Sequence, residues 1–194
     1  MFLLYDVSTN GQPKNWKADY TDTFSWPKLI HISWLLYDKK GELTEEADYI
    51  ISPVGMEIAP PALKKAGLTE EIIQEQGVDI KVVLEHFNKT LEKAMYVFAF
   101  NLQYSENVIL AEFYRANMMH KIYQPDRYCL MRESTYFCRL KGRGGGYKWP
   151  SLTELHKRIF NAGYEGAGNA QKDIMAISRC FNKLLSMGEL DDLF

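Results

Sequence analysis

The stretch MYVFAF, Met95–Phe100, decides the fold class, because it is the clearest buried strand of the sequence and a helix follows it closely. Its six residues form an unbroken apolar and aromatic run, which is typical of a strand covered on both faces. Asn101 comes directly after the strand, and a helical period then extends from about Ser105 to Asn117. A strand and a helix in direct succession indicate an α/β protein.

The residues before this unit predict three more strands. We assign them to Met1–Val7, Leu29–Tyr37 and Tyr49–Ser52, with a turn at residues 38–41 between the second and the third. Strands that follow one another through short turns usually pair antiparallel. The first part of the chain therefore predicts an antiparallel meander.

Helices and one last strand account for the remaining elements. In chain order we predict a helix at Ala62–Ala66, a helix capped by Thr69, a helix capped by Asp79, a strand at Arg127–Met131, a helix that begins with the capping box Ser151-Leu152-Thr153-Glu154, and a helix at Ala170–Leu185. This order predicts a mixed central sheet with helices on both faces. We expect one domain over residues 1–187 and a short acidic and apolar tail at 188–194.

Composition fits a single globular domain. The chain has 194 residues, of which 46% are hydrophobic and 25% charged, so it can bury enough apolar surface to fold. No apolar run approaches the roughly 20 residues of a membrane helix, and Asp6 interrupts the opening too early for a signal peptide. The three cysteines lack CxxC spacing, which favours a reducing compartment. We therefore expect a cytoplasmic protein without membrane contact.

The charge is unevenly distributed along the chain, although its net value is only −2. Residues 1–114 hold 10 Lys and Arg against 17 Asp and Glu, whereas residues 115–183 hold 13 against 5. A basic stretch of this kind is compatible with a surface that faces phosphates. Near-neutrality therefore does not exclude a nucleic-acid partner.

Three segments resemble the motifs of one enzyme family. They are Asp6-Val7-Ser8-Thr9-Asn10-Gly11, Phe100-Asn101-Leu102-Gln103-Tyr104-Ser105 and Gly168-Asn169-Ala170-Gln171-Lys172-Asp173. In wording and order they are similar to the motifs of the DEDDh 3′-5′ exonucleases, the DnaQ-like group with an RNase H-like fold that includes the proofreading epsilon subunit of bacterial DNA polymerase III. The resemblance covers nearly the whole chain and implies the same fold.

The resemblance also implies a site that departs from the family. Those enzymes use four carboxylates to hold two metal ions and a histidine to accept the proton of the attacking water. Here only Asp6 and Asp173 stand at carboxylate positions, while Ser8 and Ser105 replace two acids and Gly168 stands at the histidine position. We therefore expect no intact catalytic set, and at most one Mg²⁺ or Mn²⁺ ion bound weakly by the two aspartates.

Other side chains could in principle complete the site. Glu106 is adjacent to Ser105, but consecutive side chains on a helix diverge by about 100°, so Glu106 would need a change of register. His156 lies in the helix after the glycine-rich loop Lys141–Gly146, and we interpret it as a partly exposed helix residue. Asp6 and Asp173 also have an ordinary structural interpretation, in which Asp6 satisfies backbone groups and Asp173 caps the last helix or pairs with a lysine.

Nucleic-acid contacts are expected at two places. The resemblance implies that Thr9, Asn10 and Gly11 offer polar groups to a terminal nucleotide. Asn101 fixes the backbone beside them and is a further candidate contact. Phe100 and Tyr104 could stack on a base, and packing in the core is the alternative for both. The basic residues Lys141, Arg143 and Lys148, on and beside the glycine-rich loop, could reach phosphates by charge. A solvated loop without a ligand is the alternative.

The tail contains a pattern that is typical of a docking peptide. Its residues Glu189–Phe194 resemble the short peptides by which replication proteins bind a sliding clamp, although Glu189 stands where such peptides have glutamine. A frayed or core-packed terminus is the alternative. Sequence alone keeps both open.

These observations favour a DEDDh exonuclease-like protein that has lost catalysis and acts by binding a single-stranded or 3′-terminal nucleic acid, or a protein partner. A working metal-dependent exonuclease with a remodelled site is one alternative. A structural or assembly protein that keeps only the fold is the other.

Overall fold

The computed structural model describes residues 1–55 and 57–193. Its strands are β1 (Phe2–Thr9), β2 (Leu29–Tyr37), β3 (Leu43–Ile50), β4 (Tyr96–Ala99) and β5 (Asp126–Cys129). Its helices are α1 (Pro60–Ala66), α2 (Glu70–Gln76), α3 (Ile80–Leu91), α4 (Leu102–Arg115), α5 (Leu130–Glu133), α6 (Thr135–Cys138), α7 (Leu152–Phe160) and α8 (Ala170–Ser186), and a 3₁₀ turn spans Asp191–Leu193.

The five strands form one mixed sheet in the order β3-β2-β1-β4-β5. The meander β1-β2-β3 is antiparallel, whereas β4 pairs parallel with both β1 and β5. The carboxyl ends of β1 and β4 therefore open at the same edge of the sheet, which is where ligands bind in open α/β sheets.

Alternate residues of β1 divide the core between the two faces of the sheet. Leu3, Tyr5 and Val7 pack with α3 and α4 on one face, while Leu4 packs with α7 and α8 on the other. This follows from the two-residue period of a strand. The predicted mixed sheet with helices on both faces is confirmed.

Most predicted helix starts are also confirmed. The side chains of Thr69, Asp79 and Ser151 accept hydrogen bonds from backbone N–H groups at the starts of α2, α3 and α7. Ser151 and Glu154 complete the predicted capping box, since each side chain bonds the backbone of the other. Such caps satisfy N–H groups that the first helical turn leaves free.

Strand boundaries were predicted less well. The third strand is Leu43–Ile50 rather than Tyr49–Ser52, because the edge of the sheet tolerates the charged residues Glu45 and Glu46 on a strand that pairs with only one neighbour. The last strand ends at Cys129, and the residues predicted to finish it begin α5 instead. β1 continues to Thr9, and α4 begins at Leu102, one turn before the predicted start.

The structure corrects the expected exposure of His156 and shows where the tail residues up to Leu193 lie. His156 is buried rather than partly exposed, and its Nδ1 lies 2.7 Å from the carbonyl oxygen of Ala162. In the tail, Leu190 is only 2% exposed and packs on the core beneath α8, while the Leu193 carbonyl accepts a hydrogen bond from Tyr128. Phe194 lies outside the described residues, so the clamp peptide at Glu189–Phe194 stays a prediction.

Over residues 1–55 and 57–193, no helix is both long enough and apolar enough to span a lipid bilayer.

Candidate functional site

A cavity of about 640 Å³ opens at the carboxyl ends of β1 and β4, and we call it the carboxyl-edge pocket. It collects residues from all three motifs, which lie far apart in the sequence. Ten predicted site residues line it: Asp6, Ser8, Thr9, Asn10, Gly11, Asn101, Tyr104, Ser105, Gly168 and Asp173. The topology explains this grouping, since β1, the start of α4 and the start of α8 meet at that edge.

The two aspartates of the pocket are electrostatically coupled. Burial raises the pKa of Asp6 well above its usual range, and repulsion from Asp173 raises it further. Burial also raises the pKa of the Asp173 carboxyl. The positive charge of Lys65, at the end of α1, lowers the pKa of both carboxyls and so opposes this rise. The pocket therefore carries less negative charge near neutral pH than two ordinary aspartates would.

Asp173 accepts hydrogen bonds from two donors and does not cap α8. The Tyr164 hydroxyl donates to Oδ1 at 2.7 Å, and the Gly168 N–H donates to Oδ2 at 3.0 Å. The cap of α8 is Asn169, whose side chain accepts a bond from the Lys172 N–H. The interpretation of Asp173 as the cap is therefore wrong.

Ser8 and Gly168 are joined to each other. The Ser8 hydroxyl donates to the Gly168 carbonyl oxygen at 2.8 Å, across 160 residues of chain. Gly168 has a backbone φ of +100°, and a Cβ built there would lie 2.8 Å from Cγ and 2.9 Å from the carbonyl oxygen of Lys65. A histidine at position 168 would therefore be strained and would press on α1.

The remaining carboxylate candidates do not complete a metal shell. Ser105 is buried in the first turns of α4, and the neighbouring Glu106 forms an ion pair with Arg127 at 2.7 Å. Within residues 1–55 and 57–193, no cluster of three or more His, Cys, Asp or Glu residues could hold a metal ion. Two carboxylates, one of them already bound by Tyr164 and Gly168, do not fit a two-metal centre.

One wall of the pocket is aromatic. The Trp16 and Tyr104 rings lie 5.6 Å apart, and the Tyr104 hydroxyl is 2.6 Å from Thr9 Oγ1. Asn10 is fixed by exchange of hydrogen bonds with Lys28, whose N–H donates to the Asn10 side chain. Phe100, by contrast, is buried in the core beneath α8.

The three predicted basic residues lie outside the pocket lining. Lys148 donates to Glu154 at 2.6 Å, so its charge is partly balanced. Lys141 bridges to Tyr147 across the glycine-rich loop, and Arg143 is exposed at its tip. The structure thus brings the motif residues together and leaves the basic residues on a neighbouring surface.

The pocket residues that were not predicted from the sequence include Lys65, Tyr164 and Trp16. Lys65 and Tyr164 belong to no motif, and they reach the site only because α1 and the segment before α8 pack beside β1. Trp16 carried one usable signal, since a tryptophan in a polar loop rich in Lys, Asn and Asp is unusual for a residue without a ligand or a packing role.

The mixed sheet with a pocket at its carboxyl edge has an RNase H-like exonuclease fold. The solved structures that show this are of exonuclease I. Escherichia coli exonuclease I in complex with a dT13 oligonucleotide has a TM-score of 0.73 at 16% identity, with 100% of this chain and 42% of that chain covered. The ExoI/SSB-Ct complex has a TM-score of 0.73 at 15% identity, with 100% of this chain and 43% of that chain covered. The zinc-bound E. coli ExoI–ssDNA complex has a TM-score of 0.72 at 17% identity, with 100% of this chain and 42% of that chain covered.

The chain therefore spans a little over two fifths of the length of these neighbours. No protein-family model and no curated protein matches it. At this level of identity the likeness establishes the fold alone.

Proposed function

We propose that this chain is a DEDDh exonuclease-like protein that has lost catalysis and binds the 3′ end of a single-stranded nucleic acid in the carboxyl-edge pocket. The observation that carries the proposal is the state of the pocket around Asp6 and Asp173. It keeps the polar and aromatic residues that would face a terminal nucleotide, whereas its metal and proton-transfer positions hold Ser8, Ser105 and Gly168.

The pocket chemistry suits a nucleotide better than a metal pair. The rings of Tyr104 and Trp16 offer faces on which a base can stack. Thr9 and Asn10 supply polar groups beside them. Because the pKa values of Asp6 and Asp173 are raised, repulsion of a phosphate is weaker than with ordinary aspartates. A single Mg²⁺ or Mn²⁺ ion between them is the most that the donors support.

The donor set of the pocket supports the proposed loss of catalysis. A general base typically contributes about 10²- to 10⁴-fold, and its family position here is a glycine that cannot accept a histidine without strain. The serines at two metal positions are neutral, and Ser8 already donates its hydroxyl proton to Gly168. The exonuclease I neighbours bind ssDNA oligonucleotides. That property supports binding without requiring turnover.

The test follows a 3′-labelled single-stranded oligonucleotide in Mg²⁺ or Mn²⁺. We expect no nucleotide release, together with binding measured by fluorescence anisotropy. Tyr104→Ala should weaken binding by about tenfold, because one stacked base is worth about 1–3 kcal/mol. Tyr114→Ala is the matched control, since Tyr114 is exposed at the opposite end of α4. Turnover that Asp6→Asn or Asp173→Asn abolishes would overturn the proposal.

The two alternatives make different predictions. A working exonuclease with a remodelled site needs Glu106 to leave Arg127, and crystals soaked in Mn²⁺ would then show two ions within about 4 Å of each other. A structural or assembly protein would show no salt-dependent binding of oligonucleotides. A protein partner in place of nucleic acid would give the same negative result and a positive pull-down.

A further inference from the structure

A second group of aromatic residues lies on the surface beside the glycine-rich loop, and we call it the aromatic platform. Its residues line a shallow groove of about 430 Å³: Arg132, Thr135, Tyr136, Tyr147 and Trp149. Three large rings are exposed here, at 75% for Tyr136, 54% for Trp149 and 46% for Tyr147. Exposed rings in one patch are unusual on a soluble domain and mark a binding surface.

The rings of the platform are held in defined orientations. The Arg132 guanidinium lies over the Trp149 ring at 5.1 Å, and Tyr136 meets Tyr147 edge to face at 6.0 Å. Tyr147 lies on one arm of a hairpin, because it bridges to Lys141 and the Gly142 N–H donates to the Gly146 carbonyl at 2.8 Å. The groove is therefore formed before any ligand arrives.

The chemistry of the groove favours unpaired bases. Among the described residues that line it, three have aromatic rings and none is Ala, Val, Leu, Ile or Met. The groove therefore offers flat ring faces rather than an apolar pocket for a leucine or phenylalanine side chain. The residues that line the groove include one cation, Arg132, and no acid. Two other basic residues of this stretch, Arg127 and Lys148, are paired with Glu106 and Glu154. A cation beside exposed rings is the usual combination for single-stranded nucleic acid.

One residue of the platform, Trp149, lies close to the carboxyl-edge pocket along the chain. Trp149 is three residues before Leu152, which lines that pocket together with Thr153. Three residues span at most about 11 Å, which one or two nucleotides can bridge. A strand whose end occupies the pocket can therefore continue onto the platform.

We propose that the aromatic platform is a second contact site for single-stranded nucleic acid, where Trp149 and Tyr136 stack unpaired bases a few nucleotides from the end held in the pocket. The proposal shares its ligand with the proposed function but rests on different residues. Base stacking, rather than backbone charge, supplies the contact.

The experiment measures how tightly the protein binds a labelled oligothymidine of 16 nucleotides. The comparison ligand is a strand of equal length whose interior nucleotides lack their bases. Trp149→Ala should weaken binding of the oligothymidine by about 5- to 100-fold and leave the abasic strand nearly unaffected. Trp149→Phe keeps a ring and should retain most of the affinity. Tyr123→Ala is the matched control, because the Tyr123 ring also carries an arginine, Arg127 at 4.5 Å, but precedes the amino end of β5.

The outcomes separate this proposal from the proposed function. Loss of affinity in Trp149→Ala but not in Tyr104→Ala supports the platform and overturns the pocket. Loss in Tyr104→Ala alone does the reverse. An equal loss on both strands shows a charge effect and overturns stacking. Binding of a labelled acidic peptide at Trp149, without binding of either strand by the wild-type protein, overturns both in favour of a protein partner.

Discussion

Gly168 shows how one residue can decide what the site is able to do. Its φ of +100° lies in a region of backbone conformation that residues other than glycine rarely adopt. Lys65 fills the space that a Cβ would need. The N–H of Gly168 donates a hydrogen bond to Asp173, and its carbonyl oxygen accepts one from the Ser8 hydroxyl. The local packing therefore requires a glycine at position 168, and a glycine has no side chain that could accept a proton.

Gly168→Ala should lower the free energy of unfolding by about 1–3 kcal/mol, because the added methyl group is strained and collides with the α1 backbone. Urea unfolding measures the change. Gly144→Ala is the matched control, since a Cβ at Gly144 meets nothing within 4 Å, and its effect should stay within about 0.5 kcal/mol. Equal stability of the two variants would contradict the strain at Gly168.

The sequence predicted the residues of the site that lie within motifs, and it missed those that arrive through tertiary packing. Asp6 and Asp173 could be paired in advance, because their motifs fix which strand end and which helix start carry them. Tyr164 could not, since its hydrogen bond to Asp173 depends on how the segment before α8 folds back. Spacing along the chain does not specify that path.

Among the elements, β3 joins the edge of the sheet to α3 through one carboxylate. Glu45 of β3 accepts hydrogen bonds from Trp34, Thr90 and Lys93 and lies 3.3 Å from His86. Burial would raise the pKa of Glu45, but the bonds from Lys93, Thr90 and Trp34 outweigh it and hold the pKa at about 2. A carboxyl with a lowered pKa stabilises the folded state while it is ionised.

Glu45→Gln should destabilise the protein at pH 7 by about 1–2 kcal/mol, because hydrogen bonds to a charged acceptor are worth more than those to a neutral one. The contribution of Glu45 is complete above the ordinary carboxyl pKa and is lost as the pH falls from about 4.5 toward 2. Urea unfolding at pH 7, 4 and 2.5 should show the difference shrinking. Glu46→Gln, at the exposed neighbour, should have little effect at any of these pH values. A difference that stays constant with pH would argue against the ionised carboxylate.

Element predictions succeeded where burial is symmetrical and failed at the edge of the sheet. β2 was predicted with its observed ends, because its residues are buried on both faces and read as one apolar run. Only the last two residues of β3 were predicted, because its polar residues face solvent and its strand character comes from pairing with β2. Pairing is a property of two segments, so the composition of one of them does not reveal it.

At the scale of the whole molecule, Leu190 of the tail packs in the core on the side of the sheet that α7 and α8 cover. Leu190 is 2% exposed and packs in the same cluster as Leu184 and Phe181 of α8. The predicted boundary at residue 187 therefore divides side chains that contact the same core. A clamp peptide that used Leu190 would first have to pull it out of this cluster.

Leu190→Ala should lower the free energy of unfolding by about 2–5 kcal/mol, the usual cost of removing a buried leucine side chain. Thermal or urea unfolding with both tyrosine and far-ultraviolet probes measures it, and both probes should report one transition. Asp192→Ala, on the exposed side of the same turn, should be neutral. If Leu190→Ala is as stable as the wild type, the tail is peripheral and free to bind a partner.

The hydrogen bond between Ser8 and Gly168 restricts how this chain could acquire a four-carboxylate site. A glutamate at position 8 loses the hydroxyl that ties β1 to the segment before α8, and a histidine at position 168 is strained against Lys65. Neither change alone supplies a metal shell, because Ser105 would still be neutral. Each of these substitutions alone therefore lowers stability without completing a metal site. A four-carboxylate site at this edge of the sheet requires several substitutions at once.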